Sequence, residues 1–211
     1  EVAGSPGKAV SQVIFALGAM TKDEVRAEAT RLGLPVASKP ESQDICFIPD
    51  NDYAAFLESA APDRFRGGGD ILSLEGLRLG KHKGLHHYTI GQRKGLGIAA
   101  PEPSYVVGSD PPSNTLVVGT RKDVMAMGLF ALEAKWLVDV PEAGYPVRAR
   151  IRHNDVGSAA RVYPKDDGRV DVHFDEPVLA VTAGQQVALY DGRRVLGAAT
   201  IEGILWEPGR G

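Results

Sequence analysis

Three features of this sequence could do chemistry: a single cysteine, an acid-free basic stretch rich in glycine, and arginines at alternate positions. Cys46 is the one cysteine among 211 residues and sits in Ser42-Gln43-Asp44-Ile45-Cys46-Phe47-Ile48. A lone thiol cannot staple a fold, and it supplies one of the several ligands a structural metal site needs. It is therefore either a buried small hydrophobe or a reactive group. Ile45, Phe47 and Ile48 make a short apolar run that suits burial. The flanks, Lys39-Pro40-Glu41-Ser42-Gln43-Asp44 and Pro49-Asp50-Asn51-Asp52, are polar and broken by proline. A modest loop movement would uncover such a thiol, and Lys39 would favour its thiolate.

Between Gly76 and Pro101 there is no Asp or Glu, whereas Arg78, Lys81, Lys83, Arg93 and Lys94 occur together with His82, His86 and His87. Glycines at 84, 91, 95 and 97 permit close backbone approach to a ligand. The stretch reads as a loop for phosphate groups, with Lys83, Gln92 and Arg93 as candidate contacts, or as a solvated basic hairpin whose glycines serve turns. A histidine metal site is the third reading, but no Cys or carboxylate joins the histidines locally, so no metal site is expected. In Arg148-Ala149-Arg150-Ile151-Arg152-His153, period-two alternation puts Arg148, Arg150 and Arg152 on one face of a strand and the apolar residues on the other. Successive arginines would stand about 6.5–7 Å apart, comparable to neighbouring phosphates on RNA. A solvated face with ion pairs to Asp155 or Glu142 is the alternative.

Phe15-Ala16-Leu17-Gly18, Thr21-Lys22-Asp23-Glu24-Val25-Arg26, the segment around Cys46, and the nearly gapless run His82-Lys83-Gly84-Leu85-His86-His87-Tyr88-Thr89-Ile90-Gly91-Gln92-Arg93-Lys94-Gly95-Leu96-Gly97-Ile98 together resemble the tRNA-specific 2-thiouridylase family. The resemblance runs from about Ala9 to the C-terminus. It implies that Cys46 carries sulfur as a persulfide and delivers it to C2 of the wobble uridine of tRNA, after ATP with Mg²⁺ has activated the uridine oxygen. It also implies that Arg152, His153 and Gln185 contact tRNA, with His153 standing where the family commonly has Tyr. The partners implied are the anticodon region of tRNA and a persulfide donor, either a cysteine desulfurase or a sulfur-relay protein. Family members begin with an ATP-binding domain carrying a pyrophosphate loop and a first catalytic cysteine. Neither is in these 211 residues, so the resemblance implies the C-terminal part of such an enzyme, expected to bind neither nucleotide nor metal by itself. A non-catalytic RNA-binding module and a stand-alone sulfur carrier are the rival classes.

The elements that must position these residues fall into segments. Residues 1–8 match nothing and read as a linker or expression remnant. Residues 9–66 read as a helical tail of the α/β catalytic domain. Thr21 and Glu24 form a capping box, Val25, Ala29 and Leu32 recur at helical spacing, and Gly33 closes the helix. A second helix starts near Asp52, places Tyr53, Phe56, Leu57 and Ala60 on one face, and stops at Pro62. Two helices and one short strand are too small for a core of their own, so their apolar faces are expected to pack elsewhere. Arg64 to Gly69 reads as the linker.

Residues 67–128 read as a small central β domain, with a hairpin around Glu75-Gly76 and a strand pair around 110–114. Residues 129–211 read as a C-terminal β-barrel, with turns at Asp166-Asp167-Gly168 and Asp191-Gly192 and strands at Val170-Val172-Phe174, Val178-Ala180-Thr182 and Val187-Leu189. The fold class expected is mainly β with an α/β remnant. A net charge of −3 excludes a global polycation, so RNA contact must come from local patches. No apolar run approaches the ~18 residues of a membrane span, and one free cysteine suits a reducing cytoplasm. A monomer is expected.

Labelling with a thiol reagent separates the classes. A sulfur-carrying Cys46 is expected to react in the native protein. A thiol that reacts only on unfolding favours the RNA-binding module.

Overall fold

The computed structural model describes residues 13–39, 48, 52–153 and 155–205. Cys46 and residues 1–8 lie outside the described residues. The chain divides into one unit within Ser11–Arg64 and a second over Phe65–Gly211.

In the first unit α1 spans Lys22–Arg31. Its capping box is formed: Thr21 Oγ1 accepts from the Glu24 N–H at 3.4 Å, and the Thr21 N–H donates to Glu24 Oε2 at 2.7 Å. The Thr21 N–H and, at 2.9 Å, its hydroxyl both donate to the Glu24 carboxylate and lower its pKa. At the other end Gly33 adopts φ +67°. The Leu34 N–H then returns to the Ala29 carbonyl at 2.9 Å, a Schellman closure of the kind glycine permits. The second helix, α2, spans Tyr53–Ala60, with Asp52 Oδ1 accepting from the Ala55 N–H at 2.9 Å. No residue of either helix is buried, and Ile14, Phe15, Leu17, Leu32 and Leu34 are exposed. This matches the expectation that two short helices cannot build a core alone.

Arg66 to Gly69, within the stretch read as the linker, is packed against its neighbours. A Cβ added at Gly69 would lie 2.0 Å from the Asn114 carbonyl oxygen and 2.6 Å from His82 Nε2, and one at Gly68 would lie 2.5 Å from the His82 carbonyl oxygen. Asn114 Nδ2 donates to the Gly67 carbonyl at 3.1 Å, and Arg66 Nη1 donates to that of Pro112 at 3.0 Å. These glycines are small because backbone and ring press on them.

The central sheet contains β1 (Gly69–Ser73), β2 (Arg78–His82), β3 (Tyr105–Asp110) and β4 (Thr115–Gly119) in the order β2-β1-β4-β3. Both expected hairpins form, and a parallel β1–β4 pairing joins them. Ile71, Val106, Leu116 and Val118 fill its core together with Leu96, and Ile98 packs against it. The glycine-rich stretch thus anchors itself to the sheet through its own apolar residues.

The barrel contains β5 (Met125–Trp136), β6 (Tyr145–Arg150), β7 (Ser158–Pro164), β8 (Val170–Leu179), β9 (Gln186–Asp191) and β10 (Arg194–Leu205). Its order is β10-β5-β8-β7-β6-β9, closed by the antiparallel β9–β10 pair. Alternate residues point inward, among them Leu129, Val147, Ala149, Val162, Val172, Val187, Leu189 and Ile201. Two expected strands end early. Val178 belongs to β8, but Ala180 turns out of it with φ +53°, so Val178-Ala180-Thr182 is not a strand. Likewise β6 stops at Arg150, and Arg152 and His153 lie in the bend and turn that follow.

Replacing Gly69 by Ala is expected to cost about 1–3 kcal/mol, as overpacking of a closed site does. Thermal melts of the two proteins check this, and an unchanged melting temperature would show that Gly69 tolerates a side chain.

Candidate nucleic-acid interface

Period-two alternation holds along β6. Val147 and Ala149 face the barrel interior, while Arg148 and Arg150 share the outer face. They straddle Gly157, whose added Cβ would lie 2.6 Å from Arg148 Cγ and 3.0 Å from Arg150 Cγ. Neither arginine is a free surface cation. Arg148 Nη1 donates to the Gly157 carbonyl at 2.7 Å. Arg150 stacks its guanidinium 4.6 Å from the centre of the Tyr190 ring, a cation–π contact from the neighbouring strand β9. Its Nε is buried and finds no hydrogen-bond partner among the described residues. The carboxylate of Asp155 does not pair with these arginines. It folds the turn, accepting from the Gly157 N–H at 2.9 Å and the Ile151 N–H at 3.4 Å.

Arg152 lies past the strand and reaches across to the segment after β8. Its Nη2 donates to the Ala180 carbonyl at 2.8 Å and to the Leu179 carbonyl at 3.4 Å. The Thr182 hydroxyl donates to the same Ala180 oxygen at 3.1 Å, and the Ala180 N–H donates to the Val124 carbonyl at 2.7 Å. Ala180 is thereby fixed from three sides. Gln185 ends this segment, exposed, with its carbonyl accepting from the Ile201 N–H at 2.7 Å. His153 is exposed in the turn beside Arg152.

The glycine-rich stretch meets the same segment. Gly91 takes φ +82°, and a Cβ there would lie 2.2 Å from Ala180 Cβ and 3.8 Å from Arg152 Nη2. Next to it, Gln92 braces its own loop. Its Oε1 accepts from the Thr89 N–H at 3.1 Å and its Nε2 donates to the Lys94 carbonyl at 2.9 Å. The Gln92 amide therefore shapes the loop, and Arg93 beside it is exposed. Arg93, Gly95, Leu96 and Gly97 help line a cavity of about 400 Å³. Gly91 and Arg152, far apart in sequence, thus meet at Ala180, on the segment that leads into Gln185. Lys83 is exposed just after β2, and no hydrogen bond joins its side chain to that segment among the described residues.

His82 is not available to a metal. Its ring is buried, with Nδ1 accepting from the Gly84 N–H at 3.1 Å and Nε2 lying 3.0 Å from the Asn114 carbonyl oxygen. Nε2 ties β2 to the β3–β4 turn and Nδ1 holds the segment after β2, leaving no lone pair for a ligand role. Sequence reading missed Tyr190, Thr182 and Ala180 as supports of the arginines. Ala180 was hidden by apolar alternation that imitates a strand.

Arg152→Ala is expected to cost about 1 kcal/mol in folding stability, because the Ala180 and Leu179 carbonyls lose a charged donor. A free surface arginine would change stability by less than about 0.5 kcal/mol. Urea denaturation of both proteins decides between these values.

Family models match three successive parts of the chain. Residues 4–50 match the tRNA methyl transferase HUP domain, residues 54–120 the tRNA methyl transferase PRC-barrel domain, and residues 127–201 the aminomethyltransferase beta-barrel domain. The chain is 44% identical over 194 residues to the tRNA-specific 2-thiouridylase MnmA of Halothermothrix orenii, covering 92% of this chain and 54% of that protein. It is 44% identical over 194 residues to the enzyme of the same name from Acetivibrio thermocellus, with the same coverage. Against that of Roseiflexus sp. it is 46% identical over 196 residues, covering 91% of this chain and 52% of that protein. The chain spans about half the length of these curated relatives. With three successive domain models matched and this level of identity along nearly its whole length, the chain belongs to the tRNA-specific 2-thiouridylase family.

Proposed function

We propose that this chain is the part of a tRNA 2-thiouridylase that supplies the persulfide cysteine, Cys46, and holds the tRNA on its β modules. The observation that carries the reading is the 44% identity to tRNA-specific 2-thiouridylases across 92% of the chain. Supporting it, Arg152 and Gly91, the residue before Gln92 and Arg93, meet at Ala180 on the segment that leads into Gln185.

The chemistry follows from the leaving group. Oxygen at C2 of uridine departs poorly until ATP, with Mg²⁺, has transferred AMP to it and released pyrophosphate. The terminal sulfur of a Cys46 persulfide then adds at C2, and AMP leaves with the C–O electron pair. A second cysteine thiolate, carried by the remainder of the protein, attacks the Cys46 sulfur and breaks the S–S bond. The electron pair stays on the sulfur bound to C2, giving the thione, and the two cysteines are left as a disulfide that an external thiol must reduce. The persulfide comes from a cysteine desulfurase or relay protein. The wobble base must be turned out of the anticodon stack to reach this sulfur, at the cost of its stacking. Arg152 and Arg93 would meet the backbone, which positions tRNA without reading its sequence. The exposed ring of His153 would stack on a splayed base. We place this work in the cytoplasm, by a monomer. No helix among the described residues is long and apolar enough to cross a membrane.

In the full-length protein, Cys46→Ser is expected to abolish 2-thiouridine formation while leaving tRNA affinity near that of the parent. Mass spectrometry of digested tRNA and a binding titration measure the two. Thiolation that survives the substitution would remove Cys46 from the sulfur path, and unaltered tRNA binding alongside it would leave an RNA-binding module.

A further inference from the structure

The contact between Gly91 and Ala180 does more than fill space. On its inner side the Gly91 loop is fastened to β3: the Gly91 N–H donates to the Val106 carbonyl at 2.8 Å, and the Val106 N–H donates to that of Gln92 at 3.0 Å. On its outer side Gly91 meets a residue that cannot yield. Ala180 holds φ +53°, its N–H is bonded to the Val124 carbonyl at 2.7 Å, and its carbonyl takes donors from both Arg152 and Thr182. A Cβ at position 91 would overlap Ala180 Cβ at 2.2 Å, far inside the separation that real side chains tolerate. Ala180 Cα is 3.7 Å from the same point, an ordinary van der Waals distance. The steric obstacle at Gly91 is therefore one methyl group, and the positive φ of +82° adds a backbone strain that any side chain there would carry.

Resting on the tRNA reading above, we propose that Gly91 is a positioning residue. Its lack of a side chain lets the basic loop seat on Ala180, so that Arg93 and Arg152 present one continuous surface to a single RNA backbone. Arg152 is suited to belong to both modules. Nη2 is engaged by the Leu179 and Ala180 carbonyls, while Nη1 and Nε have no hydrogen-bond partner among the described residues. Those N–H groups remain for a phosphate. The acid-free character of the sequence from Gly76 to Pro101 removes carboxylates that would repel the strand there.

The test is a size swap in the full-length protein: Gly91→Ala, Ala180→Gly, and both together. An unmodified tRNA transcript is titrated across a series of salt concentrations, with melting temperature measured in parallel. Gly91→Ala is expected to weaken binding about tenfold, within the range by which positioning mutations modulate coupling. Its log affinity against log salt should flatten by about 0.7–0.9 for each phosphate that is no longer neutralised. The double variant, with the methyl moved across the seam, should recover affinity and slope in large part, the remainder being the strain of an alanine at φ +82°. Ala180→Gly alone should bind close to the parent, since glycine accepts a positive φ without strain. Parent-like affinity and slope in Gly91→Ala overturn the proposal. So does a lowered melting temperature with an unchanged slope, which reduces Gly91 to a packing position. A parent protein that does not bind tRNA overturns the tRNA reading itself, and this proposal with it.

Discussion

Closure of the barrel through the β9–β10 pair is the constraint on which the rest of the second unit depends. An open sheet would leave a row of unpaired N–H and C=O groups at each edge, and closure removes them. It also fixes the inside and outside of every strand. With β6 held between β7 and β9, Val147 and Ala149 must point into the core and Arg148 and Arg150 must point out. Shifting β6 by one residue would bury the arginines and expose the core, so the register is enforced by burial.

Closure also dictates where the chain must leave the barrel. At the end of β8 it turns through Ala180 in a left-handed conformation, which costs a non-glycine residue of order 1 kcal/mol or more. Three hydrogen bonds to the Ala180 backbone hold that conformation, one of them from the charged guanidinium of Arg152. The same turn receives Gly91 from the glycine-rich stretch and leads into Gln185. Strain and convergence thus occur at one place, as expected where a backbone is held in an unfavourable state by surroundings that over-determine it.

Electrostatics follow the same local pattern. A chain with net charge −3 cannot attract a polyanion as a whole. Its arginines are instead placed individually: one against the Gly157 carbonyl, one over Tyr190, one bridging to Ala180. A guanidinium has five N–H donors, so each of these anchors leaves others unused. An ammonium in the same places would lack the planar fork that allows an anchor on one edge and a ligand on the other.

Local rules made much of this legible in the sequence. The Thr21–Glu24 capping box, the Gly33 closure, the Asp52 cap, the hairpins at Glu75-Gly76 and Asp191-Gly192, and the alternation along β6 are set by groups within a few residues of one another. The mainly β class and a barrel followed from the same short-range signals, and family membership from motifs written linearly in the chain. What tertiary structure alone decided is which distant segments meet. The parallel β1–β4 pair, the pinning of Gly68 and Gly69 by His82 and Asn114, and the early ends of β6 and β8 depend on partners tens of residues away. So does the seating of Gly91 on Ala180 beneath Arg152. Composition gives a glycine the freedom to turn, but only the fold brings up the methyl group that forbids anything larger.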